Sequence, residues 1–119
     1  MRHHPLNLTW ETYTASWKAA TAAEQQALFA QSLDPQCVYN DPNTAARGWQ
    51  ELTSYMDAFH QQVPGGHFQT KTFSTHHQQS LATWNMLDGK GQVIGEGTSY
   101  GQYNGDGKLV AMTGFFAAA

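Results

Sequence analysis

Residues 79–117 read QSLATWNMLDGKGQVIGEGTSYGQYNGDGKLVAMTGFFA. No helical period runs through this stretch. β-branched and aromatic residues dominate it, and two clusters interrupt them: Asp88-Gly89-Lys90-Gly91 and Asn104-Gly105-Asp106-Gly107. Gly and Asn take positive φ at little cost, so both clusters read as hairpin joints. Strands are therefore predicted over roughly 79–87, 92–103 and 108–117. The same composition extends back through the joint His76-His77-Gln78 to His67, which predicts a further strand over roughly 67–77.

Before residue 67 the rhythm differs. Trp10, Tyr13 and Trp17 recur at i, i+3 and i+7, one face of a helix, with Thr9 as its expected N-cap. Thr21-Ala22-Ala23-Glu24 is a capping box that opens a second helix, with Leu28, Phe29 and Leu33 inward and Asp34-Pro35 as its stop. Cys37-Val38-Tyr39 predicts a short strand, and Asn40-Asp41-Pro42-Asn43 a turn. A third helix is expected from near Gly48 to Pro64-Gly65-Gly66. Its stripe of Leu52, Tyr55, Met56 and Phe59 is the cleanest in the chain. Helices followed by a meander give an α+β fold: three N-terminal helices packed on one face of a curved antiparallel sheet. At 119 residues this is one domain, with a core of about 9–117.

Composition narrows the function classes. Charged residues make up only 13% of the chain and hydrophobic residues 40%, so much of the surface is uncharged and the chain can pack a core. The net charge is -3. Arg2, Lys18, Arg47, Lys71, Lys90 and Lys108 are scattered, without the concentrated basic footprint that nucleic acid requires. No run is long enough to span a membrane. Met1-Arg2-His3-His4-Pro5 has no apolar stretch behind it, so it reads as a loose tail and not as a signal peptide. Asn7-Leu8-Thr9 is a glycosylation sequon by chance. Cys37 is alone, and the cytoplasm is the expected location.

Asp41 is the best candidate for chemistry. Before Pro42 it reads either as the cap of a turn or as a functional carboxylate. His60 follows Phe59 and reads either as a half-buried structural residue or as an acid or base at a pocket mouth. His76 and His77 are adjacent on strand-like sequence, so their side chains are expected on opposite faces, which argues against a shared metal. No metal or cofactor is expected: the chain has no His-x-x-x-His spacing, no Cys pair, no phosphate loop and no nucleophile elbow. Gly95, Gly97, Ser99 and Gly101 share one strand face and leave room for a helix or a ligand. Trp84, with Ala82 and Met86, reads as core.

Tyr39-Asn40-Asp41-Pro42, then Arg47-Gly48, then a helix carrying Leu52 and Tyr55, resembles the nuclear-transport-factor-2-like superfamily, which includes ketosteroid isomerases and SnoaL-like polyketide cyclases. The tail from Asn104 to Phe116 resembles the last hairpin of that fold. Val63-Pro64-Gly65, His76-His77, Trp84 and Gly114-Phe115-Phe116 are similar to features of uncharacterised bacterial members. The resemblance implies a cone-shaped fold whose concave sheet face is both core and pocket wall. It implies a pocket for an apolar small molecule, walled by Trp17, Tyr39, Tyr55, Met56, Phe59, Trp84, Met112 and Phe116. It makes Asp41 the base that moves a proton beside a carbonyl. Ser99 stands where the isomerases carry a protonated Asp, Trp17 near their oxyanion Tyr, and Met56 where a supporting Tyr would be. Tyr13, one turn before Trp17, is the substitute donor. Efficient steroid isomerisation is not expected from this set, because oxyanion donors are worth about 3–4 kcal/mol each. The same resemblance implies a homodimer through a convex face carrying Thr98, Tyr100 and Gln102. It also leaves open a ligand-binding or scaffolding module without catalysis.

Overall fold

The computed structural model of the chain describes residues 5–117. His3 and His4, read above as a tail, lie outside them. Helix α1 spans Leu6–Ser16, α2 Ala22–Ser32 and α3 Gly48–Gln62. The strands are β1 Leu33–Asp41, β2 Thr44–Arg47, β3 His67–His76, β4 Gln79–Leu87, β5 Val93–Tyr103 and β6 Leu109–Phe115. They form one sheet in the order β2-β1-β6-β5-β4-β3. The three helices and the curved sheet make the α+β architecture that the sequence predicts.

The four strands after residue 67 stand close to their expected limits, because each joint carries its own turn chemistry. The first half needs more revision. Thr9 does not cap α1: the helix begins three residues earlier, after Pro5, whose carbonyl accepts the amides of Leu8 and Thr9. Leu6 packs against the core and draws the first turn in, and Thr9 is itself buried. At α2, Thr21 does accept the Glu24 amide, but the Glu24 carboxylate reaches past it to the amide of Ala20.

The segment 33–47 differs most. Strand β1 has nine residues, not three, and β2 was not expected. Leu33 leaves the helix and starts the strand, fully buried. β1 pairs antiparallel with β2 and parallel with β6, with Tyr39 opposite Ala46 on one side and Met112 on the other. The sheet is therefore mixed, with one parallel pairing in an otherwise antiparallel set. Long-range pairing of this kind leaves no local trace. Pro35 falls where the β1–β6 register shifts, which is where a strand tolerates proline. Register shifts also interrupt the β3–β4, β4–β5 and β5–β6 pairings, and such bulges bend a sheet.

The helices lie on the inner face of this curve, with α1 against β3 and α3 against β1 and β2. Gly48 opens α3 at φ +76, and the Glu51 carboxylate accepts the Arg47 amide at 2.8 Å to cap it. Leu52 and Met56 from the predicted stripe are fully buried, while Tyr55 and Phe59 are half-buried at its edge. Those two rings face the interior space where the site lies.

Candidate functional site

β1 ends at Asp41, and both readings of that residue meet in its carboxylate. Oδ1 accepts the backbone amides of Asn43 at 2.8 Å and Thr44 at 3.1 Å, holding the turn into β2. Oδ2 accepts the hydroxyls of Tyr39 at 2.6 Å and Tyr55 at 2.8 Å. Tyr39 lies two residues back on the same strand, so its side chain leaves on the same face. Tyr55 comes from α3. A carboxylate offers about four lone-pair sites, and four donors fill them here. Asp41 can accept a further proton only when one donor withdraws. Tyr55 is the freer of the two phenols, since Tyr39 is buried and Tyr55 only half so.

Burial raises the Tyr39 phenol well above its ordinary range, and the neighbouring Tyr13 and Asp41 add to the rise. Tyr55 is raised by burial and then by its bond to Asp41, with the Asn43 side chain opposing. Tyr13 is raised by burial, against a hydrogen bond from Trp17. An indole only donates, so the Tyr13 oxygen is the acceptor there. The phenols that meet Asp41 are thus neutral donors at ordinary pH.

The carboxylate stands on the wall of a cavity of about 320 Å³ between α1, α3 and the inner sheet face. Aromatic rings form a continuous wall. Trp17 meets Tyr39, Tyr55, Phe59 and Phe68 at centroid separations of 5.9, 6.1, 5.6 and 5.2 Å. Phe68 meets Trp84 at 5.1 Å, and Trp84 meets Phe116 at 6.1 Å. The Trp84 indole donates to Ser99 Oγ at 2.9 Å, which leaves the Ser99 hydroxyl proton to be donated elsewhere. A Cβ placed on Gly114 would stand 3.6 Å from Asp41 Cβ, 3.7 Å from Ser99 Oγ and 3.8 Å from the Tyr39 hydroxyl, so the three converge on one spot. Among the described residues no Lys, Arg or His lines the cavity, and Asp41 is the one charged group there.

Of the residues singled out in the sequence, Asp41, Tyr13, Ser99, Trp17, Tyr39, Tyr55, Phe59, Trp84 and Phe116 line this cavity. Met56 and Met112 do not. Met56 is fully buried and its Sδ accepts the Gln25 side-chain amide at 3.2 Å, toward α2. Met112 is buried in the core, opposite Tyr39 in the sheet. His60 is also absent from the lining. Its Nε2 bonds the carbonyl of Trp17, the residue that caps the end of α1. It satisfies a helix terminus, which position along the helix stripe could not reveal.

The histidine pair is also corrected. His77 and Gln78 have φ of 51 and 62, so the chain turns back at once after β3. This brings the two rings together, with His76 Nδ1 and His77 Nδ1 3.0 Å apart, instead of sending them to opposite faces. Neither lines the cavity. Among the described residues no three His, Cys, Asp or Glu side chains are grouped to hold a metal. The β5 glycines make room for neither helix nor ligand at the tightest points. A Cβ on Gly97 would strike the Trp84 indole, and one on Gly101 would strike Ser80 Oγ at 2.8 Å and Leu109 at 2.9 Å. They accommodate side chains of adjacent strands.

Sequence reasoning missed Trp10, Asn43, Phe68 and Thr70 on the cavity wall. Phe68 and Thr70 alternate along β3 and share a face, a signal that period 2 carried. Trp10 sits on the helix face already noted but reads as core. Asn43 reads only as turn chemistry.

No family model and no curated protein sequence matches the chain. Solved structures do. A proposed isomerase of the SnoaL-like family from Agrobacterium tumefaciens superposes with a TM-score of 0.85 at 23% identity, covering 94% of this chain and 97% of that one. A nuclear-transport-factor-2-like protein of unknown function from Exiguobacterium gives 0.73 at 14% identity, covering 93% and 99%. A proposed SnoaL-like polyketide cyclase from Jannaschia gives 0.72 at 13% identity, covering 97% and 90%. These likenesses speak to fold, and they bear out the resemblance at that level.

Proposed function

We propose that this chain, which has the nuclear-transport-factor-2-like fold, holds a small apolar carbonyl compound in the aromatic cavity and uses Asp41 as the base that shifts a proton beside the carbonyl. The observation that carries this reading is the carboxylate set into the wall of that cavity, with Tyr39 and Tyr55 on one of its oxygens. The steps required of these residues are few. Tyr55 withdraws and frees a lone pair on Oδ2. Asp41 takes the proton from the carbon next to the carbonyl. Ser99, whose oxygen is occupied by Trp84, donates its hydroxyl proton toward the enolate oxygen, with Tyr13 as the second donor. The cavity is at the small end of the range for ligand pockets, so a compound of one to three rings suits it. Neighbours of this fold proposed as an isomerase and a polyketide cyclase agree with the reaction class.

The test needs no natural substrate. α-Tetralone is incubated with the protein in heavy water, and exchange at the carbon beside its carbonyl is followed by NMR. Asp41→Asn is expected to slow the catalysed exchange on the order of a hundredfold while leaving affinity for the ketone nearly unchanged. Exchange at the wild-type rate in that variant ends the base assignment.

A second reading, ligand binding or scaffolding without catalysis, is favoured by one observation: all four lone-pair sites of Asp41 are filled. Under it the wild-type protein binds the ketone and accelerates nothing. A homodimer belongs to both readings. The outer sheet face carries Thr98, Tyr100 and Gln102, and the exposed Leu81 and Phe115 stand beside Tyr100 and Thr98 in the sheet register. A cytoplasmic location fits the free, buried thiol of Cys37. None of the described helices is long and apolar enough to cross a membrane.

A further inference from the structure

Two buried polar atoms among the described residues have no hydrogen-bond partner among the protein's groups: Trp10 Nε1 and Thr70 Oγ1. Both residues line the same cavity as Asp41. Trp10 is only 4% exposed. An indole N–H left unpaired in such a place carries a desolvation cost of about 1–3 kcal/mol, and native structures seldom tolerate this without a reason. The two groups come from α1 and β3, and α1 packs on β3. Asp41 belongs to β1, and β6, β5 and β4 lie between β1 and β3 in the sheet. The orphan groups therefore sit on α1 and β3, on elements other than the strand that carries the carboxylate.

We propose that Trp10 and Thr70 form a second polar anchor, which holds an uncharged oxygen of the ligand other than the carbonyl that Asp41 serves. The chemistry of the donors sets the class. Indole N–H can only donate, so the ligand must present an acceptor to it, and the Thr70 hydroxyl either donates to or accepts from the same group. Among the described residues no cation lines the cavity to balance a carboxylate or phosphate, and Asp41 repels one. The oxygen is accordingly a hydroxyl, an ether or a second carbonyl. The ligand is an apolar ring compound with a second oxygen besides its reacting carbonyl. This inference rests on the reading that the cavity takes a small molecule.

The experiment compares α-tetralone with the hydroxy-α-tetralone whose phenolic oxygen lies para to the ring carbon that bears the carbonyl. Affinity is measured by titration, and the indole N–H resonances are followed by NMR. The hydroxylated ketone is expected to bind the wild-type chain about fivefold tighter and to move the Trp10 indole resonance downfield. Thr70→Val, nearly isosteric, and Trp10→Phe are expected to bind the two ketones equally, whatever their affinity for the parent. Equal binding by the wild-type chain with the Trp10 resonance unmoved overturns the anchor and leaves the pocket reading intact. Binding of neither ketone defeats the pocket reading itself, and the anchor with it.

Discussion

The indole of Trp84 lies across Gly97 on the neighbouring strand, with Cη2 2.5 Å from where a Cβ on Gly97 would stand. The Phe115 carbonyl would be 2.7 Å from the same point. The glycine thus lets the indole lie flat on the sheet and reach Ser99. Gly97→Ala must push Trp84 off that bond or bend β6. It is expected to destabilise the fold by about 1–3 kcal/mol and to change the tryptophan emission. A chemical denaturation curve unchanged in midpoint would contradict this packing.

Removing the phenols around Asp41 has unequal expected effects. Tyr39→Phe deletes a buried donor to a carboxylate and is expected to cost about 1.5–3 kcal/mol. Tyr55→Phe deletes the half-buried partner and is expected to cost less than about 1.5 kcal/mol. If Asp41 acts as a base, Tyr55→Phe also raises the ketone exchange rate, because it frees a lone pair on Oδ2. Thermal melts and the heavy-water assay measure both.

The buried thiol and phenols make stability depend on alkaline pH. Burial pushes the Cys37 thiol from 9.0 up to about 11, and the Tyr103 phenol from 10.0 up to about 12 against its bond to Ser80. Above the ordinary values the unfolded chain gives up these protons first, which favours unfolding. Their contribution is whole below pH 9.0 and is lost as pH rises through about 11 and then about 12. Cys37→Ala should delay the onset of the loss, and Tyr103→Phe should flatten the upper part. Denaturation midpoints across this range decide it.

The outer sheet face yields a prediction about assembly. Sedimentation at micromolar concentration is expected to give a dimer, and Leu81→Lys, on the exposed apolar patch, to give a monomer with an unchanged melting profile. A monomeric wild-type chain removes the dimer.

The strands from His67 onward were legible residue by residue, because each ends at a turn whose residues act locally: Asn104 Oδ1, for example, accepts the amides of Asp106 and Lys108. The helix stripes were legible for the same reason, since their period belongs to the helix alone. Asp41 could be found as a residue, and its turn could be read from Pro42 and Asn43. Its other partners could not. Tyr39 and Tyr55 were both expected in the pocket wall through the family resemblance, but their meeting on Oδ2 depends on how α3 lies over β1. The length of β1, the existence of β2 and the parallel pairing with β6 depend on strands distant in sequence. His60 read either as a half-buried structural residue or as an acid or base at a pocket mouth, and its bond to the Trp17 carbonyl gives it the structural place. Local chemistry, then, determined the three helices and the four strands after residue 67. Which side chains share the cavity, and which polar atoms there remain unpaired, was decided by packing, because adjacent positions of one stripe divide between core and wall, as Met56 and Tyr55 do.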